Sequence, residues 1–177
     1  MKPILTLCLA ITLAFTLAAC DPGITIGDGS GMQSIRIHDG SIGIHKPGVP
    51  EADITAAGDL SIGGNPVAVT PAQRDLLKHY YTQVLQVRTD GIAIGKAGAA
   101  MAGHAAGSVV SGLVHGNPDS IGPKIQARAE QLKARAFVVC SEAAALGANQ
   151  NVIANAVPAF RPYASIDATD RSSCHPG

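Results

Sequence analysis

The chain has 177 residues, of which 13 are basic and 13 acidic, with no tryptophan and only three phenylalanines and three tyrosines. A balanced charge without a basic cluster has little to offer a phosphate backbone, and so few rings provide little to stack on bases, so nucleic acid is excluded as an expected partner. Alanine and glycine dominate instead, which points to closely packed helices rather than an aromatic-lined pocket.

The chain begins with Met1-Lys2, a positive start, followed by a mostly apolar run from Ile4 to Leu17. At roughly 14 residues the run is short for a bilayer span and matches the apolar core of a signal peptide. Leu17-Ala18-Ala19-Cys20 then has the form of a lipobox, with two small residues before the cysteine where a signal peptidase needs room. An N-terminal membrane helix is the alternative. Asp21-Pro22-Gly23 argues against it, because loop chemistry begins directly after Cys20. The expectation is that residues 1–19 are removed and Cys20 is lipidated, which would anchor the protein to a bacterial envelope membrane facing the periplasm. In enteric bacteria an aspartate after the lipidated cysteine signals retention, so Asp21 favours the inner over the outer membrane. The membrane is thus the first expected partner, and an unidentified envelope protein the second.

Residues 20–33, with Gly27-Asp28-Gly29-Ser30-Gly31, are expected to form a flexible tether. No lysine follows these glycines, so they do not make a phosphate loop. Residues 34–165 are expected to form one α+β domain, its β part over 34–69 and its helical part over 70–157. The clearest element is a hairpin. Ser34 to His38 and Ser41 to His45 alternate about an Asp39-Gly40 turn, which sets Ile37 opposite Ile42 and Ile35 opposite Ile44 on one apolar face. Three short strands are predicted after it, at Ala52 to Ala56, Leu60 to Ile62 and Val67 to Val69. Together they make a small antiparallel meander that needs a cover.

Thr70-Pro71-Ala72-Gln73 is a helix start: threonine as N-cap, proline first in the helix, glutamine three after the cap. Apolar residues recur at helical spacing from Leu76 through Tyr80-Tyr81 to Leu85. Farther along, Gly91, Gly95, Ala99, Gly103, Gly107 and Ser111 repeat every four positions, a slowly winding groove that would let another helix approach closely. After Gly116-Asn117-Pro118 a second helix is predicted from about Asp119 to Leu146, with Ile125, Ala129, Leu132, Ala136, Val139, Ala143 and Leu146 as its seam. The two are expected to pack as an antiparallel helical hairpin over about 71–147, glycine groove against seam. A short third helix is predicted over Gln150 to Val157, and the chain from Ala159 on, including the tail 166–177, is expected to be irregular.

Of four cysteines, Cys8 leaves with the signal and Cys20 carries lipid, so Cys140 and Cys174 remain. In an oxidising envelope they can pair; the alternative is a buried Cys140 and a free thiol in the tail. Residues 92–114 are apolar enough to suggest a membrane-embedded glycine zipper, but Lys96 and His104 interrupt them. His38 and His45 lie on the polar face of the hairpin with Arg36. Carboxylates are near (Asp39, Asp53, Asp59), yet no HxH, HxxxH or CxxC spacing occurs, so no metal and no cofactor is expected. No serine–histidine–aspartate set or carboxylate pair marks a catalytic residue.

The run Asp59-Leu60-Ser61-Ile62-Gly63-Gly64-Asn65-Pro66-Val67, then Thr70-Pro71-Ala72-Gln73-Arg74 and Tyr80-Tyr81, resembles the YggN-like family of proteobacterial envelope proteins. Asp90-Gly91, the alanine-rich second helix and Pro158-Ala159-Phe160-Arg161-Pro162-Tyr163-Ala164 are similar to it too, so the resemblance spans roughly residues 50–165. The family is of unknown function; it implies an envelope address and an architecture but no catalytic residues. The function expected is a non-enzymatic binding or envelope-support lipoprotein. An inhibitor or immunity lipoprotein against a secreted toxin is the alternative, followed by a membrane-embedded glycine-zipper protein, with an envelope hydrolase last.

Overall fold

The computed structural model describes residues 24–26, 33–115, 121–166 and 174; for 24–26, 104–115, 121, 123 and 124 it describes the backbone alone. The lipobox with Cys20, Asp21 and the Gly116-Asn117-Pro118 turn lie outside the described residues. The architecture is α+β. Six strands, β1 (Ile24–Ile26), β2 (Gln33–His38), β3 (Ser41–His45), β4 (Ala52–Thr55), β5 (Leu60–Ile62) and β6 (Asn65–Val67), form one antiparallel sheet in chain order.

The hairpin register is the expected one, Ile37 opposite Ile42 and Ile35 opposite Ile44. Asp39 and Gly40 both take positive φ, 46° and 76°, as a two-residue primed turn requires. Two features of the sheet differ from expectation. Strand β1 comes from the stretch read as tether, pairing Ile24 with Ile35 and Ile26 with Gln33. Its Ile-Thr-Ile alternation is only three residues long and sits among glycines, so the composition of the flanks hid it. Strand β6 starts at Asn65 rather than Val67, because Gly63-Gly64 alone closes the turn and pairs Ile62 with Asn65.

Alternation puts Ile35, Ile42, Ile44, Ala52, Ile54 and Leu60 on the covered face, all buried. Burying each isoleucine or leucine contributes about 1.5–3 kcal/mol. The cover is helix α1 (Pro71–His115), through Leu77, Tyr80 and Val84, and the end of helix α2 (Ile121–Ala156), through Ile153. The predicted N-cap of α1 forms reciprocally: Gln73 N–H donates to Thr70 Oγ1 at 3.3 Å and Thr70 N–H to Gln73 Oε1 at 2.8 Å. Gln73 Nε2 also donates to the Ala156 carbonyl at 2.6 Å, tying the start of α1 to the end of α2.

Gln150 to Ala156 belongs to α2 and is not a separate helix. α2 continues through Gly147 to Ala156, and Gly147 is accommodated by a close approach: a Cβ there would stand 2.8 Å from both Cγ2 and the carbonyl oxygen of Ile166. After α2 the chain is not irregular but makes a 3-10 helix, Pro158–Tyr163. This helix places Phe160 edge-on to Tyr80, ring centroids 6.1 Å apart, and 5.7 Å from Tyr163.

The groove prediction is also corrected. α1 and α2 do pack as an antiparallel hairpin, but Gly91, Gly95, Ala99 and Gly103 are exposed, and a Cβ on Gly91, Gly95 or Gly103 would meet nothing within 4 Å. The side facing α2 runs instead through Gly98, where a Cβ would lie 3.9 Å from Leu132. Core residues Tyr80, Val84 and Val87 fix the rotation of α1. Residue 91 then sits about 100° round from Asp90 and about 60° from Ile94, both of which line a cleft with α2. Gly107 and Ser111 fall where only the backbone is described. Among the described residues no helix is long and apolar enough to cross a membrane.

Candidate functional site

Two features could carry function: the outer face of the sheet and the far half of the helical hairpin. The outer face is built by register. Arg36 pairs with Gly43, which pairs with Asp53, while His38 pairs with Ser41 at the tip of the hairpin. Glu51 enters just before β4, two residues from Asp53 and so on the same side of the chain.

The result is a cluster of half-exposed side chains. His38 Nε2 lies 3.3 Å from Asp53 Oδ1 and 3.9 Å from Glu51 Oε1, and His45 Nδ1 lies 4.0 Å from Glu51 Oε2. His38, Glu51 and Asp53 converge above Gly43. A Cβ there would sit 3.2 Å from Asp53 Oδ1 and 2.8 Å from His38 Nε2, and would collide with Glu51 Oε1. Ser41 Oγ donates to the His38 carbonyl at 2.9 Å and lies 3.3 Å from His38 Nδ1. Ser41, His38 and Asp53 have the residue types of a hydrolytic triad. However, the serine proton is committed to the carbonyl, so Ser41 orients the ring rather than being activated by it. Sequence spacing missed this cluster because its members come from the end of β2, a loop and β4. The signal available was Glu51-x-Asp53 on one strand face, opposite a histidine at the hairpin end.

The far half of the hairpin has a different character. Between Val87 and Ala144 no described side chain is buried. Both helices run beyond the sheet as an arm, 45 and 36 residues long in all. Ile92, Phe137 and Val138 are exposed there, Phe137 by 44% and Val138 by 50%. Open clefts beside the helix contact are lined by Ala97, Met101, Leu132 and Arg135, and by Ile94, Val138 and Val139.

Where arm meets core, two carboxyl groups face each other across the hairpin. Burial first, then the Asp90 carboxylate and a hydrogen bond to it, push the Glu142 carboxyl above the usual glutamate range. Glu142 Oε2 is buried with no hydrogen-bond partner among the described residues. Near the same level Cys140 is disulfide-bonded to Cys174, Cα atoms 5.7 Å apart. This bond ties the tail beyond Ile166 back to α2.

Of the residues singled out in the sequence, Cys140 and Cys174 are brought together, Gly91, Gly95, Ala99 and Gly103 face outward, and Cys20 and Asp21 lie outside the described residues. Neither a curated protein nor a solved structure matches the chain. A family model matches residues 31–121, more than half of the chain, from the start of β2 to the start of α2. The chain therefore belongs to a family of proteins of unknown function, DUF2884.

Proposed function

We propose that this protein is a YggN-like lipoprotein, lipidated on Cys20 and held at the periplasmic side of a bacterial membrane, with a non-enzymatic binding or envelope-support role exercised through the helical arm. The observation that carries the reading is the arm itself: two long helices leave the core with no buried side chain among the described residues between Val87 and Ala144, yet they display Phe137, Val138 and Ile92. Phe137 and Val138 are consecutive in α2, and exposed apolar surface of this kind supports contact with another molecule. An anchor supports the same reading, since a protein fixed to a membrane by several acyl chains needs no second insertion.

The anchor is tested by acyl labelling and fractionation of wild type, Cys20→Ala and Asp21→Ser. Wild type is expected to be acylated and to sediment with inner membrane. Cys20→Ala should lose the label and be released by a carbonate wash, and Asp21→Ser should shift to the outer membrane. Retention of Cys20→Ala in washed membranes would overturn the reading in favour of a membrane-embedded helix. Sedimentation of both wild type and Asp21→Ser with outer membrane would remove the role given to Asp21.

A further inference from the structure

We propose that His38, Glu51 and Asp53 form a binding site for a divalent transition-metal ion, of which zinc is the best-fitting member, seated over Gly43 on the outer face of the sheet. The candidate ligand atoms, His38 Nε2 and one oxygen from each carboxylate, all lie within 4.8 Å of one another. Zinc bound at about 2.0–2.1 Å in tetrahedral geometry holds its ligands about 3.4 Å apart. His38 Nε2 and Asp53 Oδ1 are already 3.3 Å apart, and Glu51 Oε1, at 3.9 Å from the imidazole, needs only a small rotation of an exposed side chain.

Three further observations favour a cation here. The first is proton placement. Ser41 Oγ has one proton, which it donates to the His38 carbonyl, so against Nδ1 it can only accept. In the tautomer with its hydrogen on Nδ1, His38 turns the Nε2 lone pair toward two carboxylate oxygens. Three acceptors facing one another are satisfied by a positive charge between them, whether a metal ion or a proton on the imidazole. Fixing one ring nitrogen by hydrogen bonding so that the other can ligate is the usual arrangement around metal-bound histidine.

The second is the space. Gly43 is a β-strand residue without positive φ, so its backbone does not require glycine, whereas any side chain there would fill the point on which the three ligands converge. The third is ligand supply. His45 Nδ1 lies 4.0 Å from the other oxygen of Glu51, so a second imidazole stands beside the site. Nitrogen with carboxylate oxygen suits zinc and its neighbours, while magnesium and calcium prefer all-oxygen shells. The remaining open position faces solvent and would take water.

The test is calorimetric titration of the full chain with zinc chloride at pH 7, in a Cys8→Ser/Cys20→Ser background so that no free thiol competes. One equivalent is expected to bind with a Kd in the micromolar range. His38→Ala and Asp53→Asn should each weaken binding at least tenfold. Gly43→Ala should do the same while leaving the thermal transition unchanged, which separates loss of the site from loss of the fold. His79→Ala, on α1, should bind as the parent does. No binding below 1 mM zinc, or a Kd unaffected by His38→Ala and Gly43→Ala, would overturn the proposal.

Discussion

Gln150 Nε2 donates to the Tyr80 hydroxyl at 2.8 Å, and both side chains are fully buried. Around this contact the core is tied together by amides. Gln150 Oε1 accepts from the backbone N–H of Ser165 at 3.2 Å and of Ile166 at 3.0 Å. Gln33, in the first position of β2, donates to the Tyr163 carbonyl at 2.9 Å and accepts from Ser165 Oγ at 3.0 Å. One buried glutamine thus links α1 to the segment after the 3-10 helix, and a second links the sheet to it. Burial pushes the Tyr80 phenol far above its ordinary range, and the Gln150 hydrogen bond only partly opposes this.

Replacing Gln150 removes several of these partners at once. Gln150→Leu preserves volume approximately but leaves the Tyr80 hydroxyl and two backbone N–H groups unsatisfied in the interior. At roughly 1–3 kcal/mol for each unsatisfied buried group, discounted because they share one site, a loss of about 3 kcal/mol is expected in urea unfolding. A midpoint within experimental error of wild type would show that water or a rearranged tail replaces the glutamine.

Glu142 gives a pH signature. Its carboxyl is raised above the ordinary value of 4.5 by burial and by Asp90, so ionising it costs the folded state more than the unfolded one. Its favourable contribution is therefore complete below that ordinary value and is lost as pH rises through the raised one. Glu142→Gln cannot ionise. Its melting temperature should match wild type near pH 4 and exceed it at pH 7, the gap opening with pH. A constant gap would mean that folding does not shift the Glu142 carboxyl, and one that widens toward acid would mean that Glu142 is stabilised as its anion.

The Cys140–Cys174 bond closes a separation of 34 residues. Chain-entropy reasoning assigns such a loop roughly 3–4 kcal/mol, and strain or residual unfolded structure reduces that figure. Cys140→Ser should therefore lower stability by about 2–4 kcal/mol and make the chain after Ile166 more sensitive to limited proteolysis. Equal stability and equal cleavage in the two proteins would show that the tail is held by the Gln33 and Gln150 contacts alone.

What the sequence made legible was what local chemistry decides. The Asp39-Gly40 hairpin and its isoleucine register, and the Thr70-Gln73 capping pair, follow from residues a few positions apart, and both appear as read. Gln33 and Gln150 were not legible as core, because a single buried amide leaves no periodic pattern and its partners are up to 132 residues away. The glycine repeat was regular yet misleading. Small residues every four positions permit close packing, but the helix is rotated by Tyr80, Val84 and Val87, which turn the repeat outward. The cluster of His38, Glu51 and Asp53 escaped because strand register alone assembles it.

The most direct test of the proposed function places a photo-crosslinking amino acid at Phe137, on the arm, and separately at Asp75, near the start of α1, in cells expressing the full chain. The account predicts a discrete adduct with another envelope protein from position 137 and none from position 75. A secreted toxin as the crosslinked protein would replace the envelope-support role with an immunity role on the same surface. No adduct from position 137, or the same adducts from both positions, would contradict the assignment of the arm as the binding surface.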